Sequence, residues 1–346
     1  MPVTVKTRVL LWGRAGGRCS FDGCGRELIE DATATDDESL IGEIAHIVAE
    51  SQDGPRGVSP LSPEQRDKYA NLILLCREHH KIVDDQENTY AVDLLTALKV
   101  AHEARVRAAL SPADIREQRD REIYATYIEH WQEAIDLDHW RGWTSWLMQA
   151  QPSVAAEAPD RFQALREWIL SRVWPQRFME LEAAFSNFSG VLGDLTDAVL
   201  RYGNREGDRI WMRKFYRDAY RGEGRSYAEM ENESTRLLSK YEYHTDLIAD
   251  LTLELTRAAN YICDHVRQFV DQVYRMEEGV LLVSSGMDMS LRTRTYRPEY
   301  RGEERVPIPY PGIDDFERRV RATRDFNYGP RDNDPFDSGI ELGEIE

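Results

Sequence analysis

The sequence predicts an α+β protein with a small mixed N-terminal domain followed by a mostly α-helical C-terminal domain. Three of the four cysteines, Cys19, Cys24 and Cys76, lie in the N-terminal part, where short apolar runs alternate with helical patterns. Beyond residue 110, long stretches follow the three-to-four spacing of amphipathic helices. We therefore expect a compact domain over residues 1–110, a helical regulatory or oligomerisation domain over 111–285, and a Pro/Gly/Arg-rich segment with an acidic end, extended or disordered, over 286–346.

The N-terminal part predicts a regular order of elements. We expect a helix over 3–16, a turn over 19–24, a strand over 41–48, a Gly/Pro loop over 51–61, a strand over 71–75, a short helix over 79–84 and a helix over 90–109. A further helix begins after Ser62, because Pro63 suits the first helical position and Gln65 is placed to complete a capping box.

The remainder predicts helices over 115–149, 160–201, 208–220 and 228–277, with a break at Gly203 and Gly207 and a strand over 280–285. The longest helix carries an apolar stripe made of Ile248, Leu251, Leu255, Ala258, Ile262, Val266, Phe269 and Val273. Such a stripe packs either within the domain or across a dimer interface.

Bulk charge limits the class of function. The net charge is −18, and a protein that coats nucleic acid is usually basic. A nuclease stays compatible with this charge, because a metal ion and a few local cations can handle one phosphate. The chain has no apolar stretch of about 18 residues and no basic-then-apolar leader. We therefore expect a cytoplasmic protein that does not contact membranes.

Two pairs of soft ligands predict a structural zinc site. Cys19 and Cys24 are separated by four residues, and Cys76 and His79 by two. Two tight turns from distant segments, each with two ligands, can complete a tetrahedral zinc site. Adjacent residues on a helix point about 100° apart, so His80 faces away from this site. His80 and Asp84 share a helical face and suit a second cation, such as Mg²⁺, Mn²⁺ or Ni²⁺.

The order of these residues resembles an HNH endonuclease with a ββα-metal finger. The resemblance covers residues 7–107 and rests on the segments at 42–47 (Gly-Glu-Ile-Ala-His-Ile), 53–56 (Asp-Gly-Pro-Arg), 71–76 (Asn-Leu-Ile-Leu-Leu-Cys), the His79–His80 pair and Asp84. This part of the chain is similar to the HNH modules of bacterial antiphage effectors. The resemblance implies a DNA substrate. We also expect a homo-oligomer or a complex with another defence protein. RNA stays open as a substrate.

The resemblance implies a role for each matching residue. His46 would be the general base, Asn71 would fix the His46 ring or the strand around it, and His80 would hold the catalytic cation. Arg56 could hold a neighbouring phosphate. Many family members have a metal ligand immediately before the base, where this chain has Ala45. Either Glu43 supplies the missing carboxylate, or Asp84 and waters complete the ligand shell.

Three hypotheses about function follow. The chain is a regulated nuclease effector, a constitutive restriction-like nuclease, or a zinc-stapled nucleic-acid or protein-binding module that has lost catalysis. In addition, the stretch from Arg292 to Arg305 either contacts nucleic acid, with Tyr296 and Tyr300 stacking on bases, or forms a partly ordered tail.

Overall fold

A computed structural model describes residues 3–30, 39–220, 226–286 and 292–321, and the chain divides into two compact units, one within 1–130 and one within 131–346. The architecture is mixed α+β with a helix-rich bulk, as the sequence predicts. Among the described residues, no helix is both long enough and apolar enough to cross a membrane. The acidic end of the predicted C-terminal tail, 322–346, lies outside the described residues.

The first unit is built on an antiparallel hairpin. Its elements are α1 (Val5–Ala15), β1 (Ile29–Glu30), β2 (Ser39–Leu40), β3 (Gly42–His46), α2 (Pro63–Arg66), β4 (Leu72–Cys76), α3 (Arg77–Asp85), α4 (Val92–Ala109) and the first part of α5 (Pro112–Ile135). β3 pairs with β4 in a register that places Gly42 opposite Cys76 and His46 opposite Leu72. Every residue of β4 is buried, so this strand is the centre of the unit's apolar core.

The local signals in the first unit act as the sequence predicts. α1 ends at Gly16, whose φ of 61° is a left-handed conformation that glycine adopts without strain. At α2, the Ser62 side chain accepts from the backbone N–H of Gln65, and the Gln65 side chain accepts from the backbone N–H of Ser62. This capping box satisfies backbone groups that a four-residue helix cannot satisfy by itself.

The second unit is a helical assembly with a small sheet. Its elements are α6 (Trp140–Leu147), β5 (Ser153–Ala155), α7 (Ala158–Leu170), α8 (Met179–Tyr202), β6 (Gly203–Glu206), β7 (Arg209–Met212), α9 (Tyr227–Phe269), β8 (Val283–Ser284), β9 (Thr295–Tyr296) and α10 (Ile313–Asp315). The sheet order is β5-β7-β6, and all of its pairs are antiparallel. α9 packs against α8, and the apolar stripe of α9 is buried from Ile248 to Val266. The intramolecular alternative therefore accounts for most of the stripe.

Several predicted helices differ from the structure. The helix predicted over 115–149 is interrupted at Asp136, whose φ is 59°, and the helix predicted over 228–277 ends at Phe269. The helix predicted over 208–220 is a strand, β7, followed by a 3-10 turn at Phe215–Tyr220. β7 forms because Gly207, with a φ of 65°, allows a tight turn and lets Arg209 pair with Glu206. The single helix predicted over 160–201 is two helices, α7 and α8, separated by a connection in which Gln176 has a φ of 60°.

The segment after residue 292 is packed rather than free where the structure describes it. Tyr300, Tyr310 and Phe316 are buried in the second unit. The Tyr300 hydroxyl donates to Glu254 Oε1 at 2.6 Å and accepts from Asn187 Nδ2 at 3.2 Å. A ring enclosed in this way cannot stack on bases, so the stacking role predicted for Tyr300 is wrong.

Candidate functional site

The two cysteine-containing turns meet in a compact Cys3His group. The ligand atoms of Cys19, Cys24, Cys76 and His79 all lie within 4.8 Å of one another. His79 Nδ1 is 3.1 Å from Cys76 Sγ and 3.7 Å from Cys19 Sγ. A tetrahedral zinc ion, with bonds of about 2.3 Å to sulfur and about 2.0 Å to nitrogen, keeps its ligand atoms roughly 3.5–3.8 Å apart. The group is therefore close enough to bind a metal ion.

Backbone conformation explains how the first cysteine pair folds into a turn. Gly23 and Gly25, on either side of Cys24, have φ values of 73° and 57°, which favour glycine. Cys19 is anchored by backbone hydrogen bonds on both sides, because its N–H donates to Arg26 and the N–H of Ser20 donates to Leu74 of β4. The turn is thus fixed to the strand that ends at Cys76.

The chemistry of the group also fits a cation. Burial raises the pKa of the Cys19 thiol to about 12. A thiolate at that depth needs a neighbouring positive charge, which a metal ion supplies. The His79 ring stacks on Phe21 with centroids 4.0 Å apart, and this contact holds the ring while Nδ1 faces the sulfurs. Phe21 carries no recognisable sequence signal, because aromatic residues beside a turn are common.

His80 lies between two carboxylates. Its Nδ1 is 2.7 Å from Glu43 Oε2 of β3, and its Nε2 is 3.3 Å from Asp84 Oδ2 one helical turn later. The two carboxylates therefore contact different ring nitrogens. A cation bound at one nitrogen cannot share both carboxylates in this arrangement, so the structure does not bring Glu43, His80 and Asp84 together as one ligand set.

Position 45 is a packing position. The Ala45 side chain is fully buried and belongs to the apolar core that covers β4. A carboxylate or imidazole there would have to be buried in that core, which is costly without a partner. The structure therefore gives position 45 a packing role and not a ligand role.

Arg56 is enclosed by protein groups. Its side chain is 5% exposed. Nε donates to the carbonyl of Ile47 at 2.7 Å, Nη1 to the carbonyl of Val83 at 2.6 Å, and Nη2 to Asp84 Oδ1 at 2.7 Å. Nη2 is also 3.4 Å from the carbonyl oxygen of His46. The predicted phosphate contact is therefore wrong, because the guanidinium is already used to join β3 to α3.

Asn71 holds backbone and not the imidazole. Its Nδ2 donates to the carbonyls of Val48 and Arg66, both at 2.8 Å, and its Oδ1 accepts from the N–H of Val48 at 2.9 Å. Of the two roles considered for Asn71, the structure supports fixing the chain around His46. The amide fastens the residues just after β3 to the end of α2.

The His46 ring contacts a residue that the sequence analysis missed. His46 Nε2 is 3.0 Å from Asp67 Oδ1, and the two side chains are 24% and 12% exposed. Burial acts to raise the pKa of Asp67, but favourable interactions, including the hydrogen bond with His46, hold it below its usual value. Asp67 directly follows α2 and is 21 residues from His46, so nothing local in the sequence marks the pair.

The site thus combines a partly exposed imidazole, a second imidazole between two carboxylates, and a Cys3His group that is close enough to bind a metal ion. Such an arrangement can accept a proton and hold a divalent cation. No protein-family model matches the chain, and no curated protein matches it.

Proposed function

We propose that the chain is a metal-dependent endonuclease of the HNH type that hydrolyses phosphodiester bonds in DNA. The observation that carries the proposal is the position of Arg56, whose Nη2 contacts both the His46 carbonyl and the Asp84 carboxylate. One buried guanidinium thereby connects the end of the strand that carries the candidate base to the helix that carries His80. The spacing of His46, Asn71 and His80 along the sequence supports the same proposal.

Two metal ions are part of this proposal. Zinc is proposed for the Cys3His group, because three thiolates and one imidazole form a typical structural zinc site. For the catalytic cation we propose His80 Nε2 and Asp84 as protein ligands, with Mg²⁺, Mn²⁺ or Ni²⁺ as candidates. Glu43 then takes a different part, accepting the N–H of His80 Nδ1 and fixing the ring. Bound there, the cation would supply positive charge to the phosphate and the leaving oxygen.

The chain's own residues carry the proton transfer. The His46 imidazole takes a proton from a water molecule as the water oxygen attacks phosphorus. The bond from phosphorus to the 3′ oxygen breaks, and that oxygen leaves with its electron pair. Asn71 and Arg56 keep the backbone around His46 in place, so the ring stays aimed at the attacking water.

A plasmid-cleavage assay with each divalent ion tests the proposal. We expect His46→Ala to lower the cleavage rate by about 100- to 10,000-fold, because a general base typically contributes that factor. His80→Ala should abolish the stimulation of cleavage by the added cation, because it removes a proposed ligand of that cation. His139→Ala is the matched control, since this histidine is 80% exposed and lies in the second unit. The proposal is contradicted if His46→Ala and His80→Ala cleave DNA as fast as His139→Ala does. An RNA substrate tested in parallel shows whether the substrate is DNA or RNA.

One observation favours a second candidate function. The two carboxylates beside His80 contact different ring nitrogens. A catalytic ion bound at one nitrogen therefore has only one of these carboxylates as a further protein ligand. A zinc-stapled nucleic-acid or protein-binding module, without catalysis, is the alternative. Failure of the zinc-loaded protein to cut DNA or RNA with any divalent ion would favour it.

Regulation is the remaining part of the proposal. The resemblance to antiphage effectors and the large helical unit support a nuclease that is controlled by a signal, by assembly into a homo-oligomer or by another defence protein. A constitutive restriction-like enzyme would cleave at full rate without an activator. Cleavage measured over a range of protein concentrations separates the two, because control by assembly makes the specific activity rise with concentration.

A further inference from the structure

We infer that Asp67 is a positioning residue for His46, which fixes the ring in the tautomer that keeps its proton on Nε2 and leaves Nδ1 to act as the base. The inference rests on the proposed function for its catalytic meaning. The tautomer itself is a property of the folded chain and can be measured without any reaction.

Hydrogen-bond chemistry fixes the direction of the contact. Asp67 Oδ1 lies 3.0 Å from His46 Nε2. An ionised carboxylate can only accept, so Nε2 must be the nitrogen that carries the hydrogen. The structure records no hydrogen-bond partner for Nδ1 of His46 among the described residues. Since the side chain is 24% exposed, Nδ1 keeps a lone pair that a water molecule can reach.

The contacts of Arg66, the buried residue directly before Asp67 in the chain, hold Asp67 in place. Arg66 is 3% exposed, although arginine is seldom buried. Its guanidinium donates to the carbonyl of Gly57 at 3.0 Å and to the carbonyl of Ala49. Its own carbonyl accepts from Asn71 Nδ2 at 2.8 Å. α2 is therefore tied to the residues that follow β3, and Asp67 keeps its place relative to His46.

The pair also has a role in charge balance. When the ring takes a proton from water at Nδ1, it becomes an imidazolium, and the Nε2 proton stays in place. The carboxylate of Asp67 then faces a positive charge at hydrogen-bond distance, which stabilises that state. No proton needs to move to Asp67.

The direct test is the tautomer of His46 in the zinc-loaded, full-length protein. Long-range proton–nitrogen correlation spectra distinguish the two tautomers in protein whose histidine rings carry an isotopic nitrogen label. The His46 signal is identified among the eight histidines by its absence from the spectrum of His46→Gln. We expect Nε2–H in the wild type and a mixture of tautomers in Asp67→Ala. Finding Nδ1–H in the wild type, or an unchanged spectrum in Asp67→Ala, would overturn the inference.

Kinetics supply a second, separate readout. We expect Asp67→Ala to lower kcat by about 10- to 100-fold with little change in KM, because the carboxylate acts through a base whose own contribution is about 100- to 10,000-fold. Asp67→Asn keeps an acceptor oxygen but loses the charge, so its kcat should fall between those of wild type and Asp67→Ala. Asp93→Asn, at an exposed carboxylate of α4, is the matched control.

The outcomes separate the two proposals. If the wild type cuts no nucleic acid, the proposed function fails, while the ring spectra still decide whether Asp67 fixes the tautomer. If the wild type cuts DNA and Asp67→Ala cuts equally fast with one zinc ion still bound, the positioning role is wrong and the proposed function stands.

Discussion

At the residue scale, Arg56 illustrates how a conspicuous cation can bind protein groups instead of substrate. It has a φ of 55°, in the left-handed region that non-glycine residues seldom adopt. The surrounding contacts offset this strain, since the guanidinium donates to two backbone carbonyls and to the Asp84 carboxylate. Its role is to join the strand end at Ile47 to the helix at Val83.

The first prediction concerns Arg56. We expect Arg56→Lys to lower the free energy of unfolding by about 2–4 kcal/mol, because a single ammonium cannot make the divergent contacts of a guanidinium and leaves buried acceptors unpaired. Arg105→Lys, at an exposed arginine paired with Asp22, should change it by less than about 0.5 kcal/mol. Urea unfolding measures both, and equal stabilities would contradict the bridging role.

The second prediction concerns the metal-binding group. Cys76→Ser should not retain the zinc proposed for the Cys3His group, because serine is a poor ligand for that ion, and the first unit should lose its cooperative unfolding. Cys263→Ser is the control, since Cys263 is a buried cysteine of α9 and lies outside the group. Elemental analysis of the purified proteins gives the zinc content. Retention of zinc by Cys76→Ser would remove Cys76 from the ligand set.

At the element scale, α9 shows which periodic signals survive folding. Its three-to-four stripe of apolar residues is buried within the chain, and its N-terminus has a capping box formed by Ser226 and Glu229. β7 shows the opposite, because its four residues are too short a run to distinguish a strand from a helix. The pairing with β6 decided its structure, and pairing is a contact between two segments.

The third prediction concerns the packing of α9. Leu255→Ala should lower the free energy of unfolding by about 2–5 kcal/mol, because it leaves a cavity in a fully buried position. Leu238→Ala lies on the same helix at a position that is 40% exposed, and it should cost far less. Thermal unfolding followed by circular dichroism compares the two variants. Similar costs would contradict an intramolecular core at Leu255.

At the scale of a whole unit, the segment that contains Tyr300 and Tyr310 completes the second unit through polar contacts. Tyr310 donates from its backbone N–H to Asn187 Oδ1 at 2.7 Å and from its hydroxyl to Asp194 Oδ2 at 2.7 Å. Arg257 Nη1 of α9 lies 3.1 Å from Glu304 Oε1 of the same segment. The C-terminal segment is therefore held to α8 and α9 by specific partners.

The fourth prediction concerns Glu254, which is buried beneath this segment. Burial raises the pKa of Glu254, although Arg257 and Tyr300 oppose the shift. A carboxyl whose pKa is raised by folding contributes its full stabilisation at pH values below its unfolded-state pKa. This contribution is lost as the pH rises through the folded-state pKa. Glu254→Gln should therefore lose part of the fall in stability that occurs as pH rises above about 4.5. Urea unfolding at several pH values measures the slope.

Glu231→Gln provides the control for that experiment. Glu231 is an exposed residue of the same helix, so its replacement should leave the dependence of stability on pH as it is in the wild type. If Glu254→Gln shows the wild-type slope as well, Glu254 is not a source of the pH dependence.

The sequence by itself determined the features that depend on short spacings. The α+β class, the capping box at Ser62, the separate strands over 41–48 and 71–75 and the cysteine turns all follow from residues a few positions apart, because backbone geometry fixes where near neighbours can point. For the metal-binding group, spacing predicted the two ligand pairs, and folding confirmed that they meet.

Only the tertiary structure decided which polar side chains meet each other. Asp67 lies against His46, Arg56 is enclosed instead of exposed, and Tyr300 is buried in place of being free to stack. The physical reason is that a hydrogen bond depends on positions within about 3 Å, and residues distant in the chain reach such positions only through the packing of whole elements.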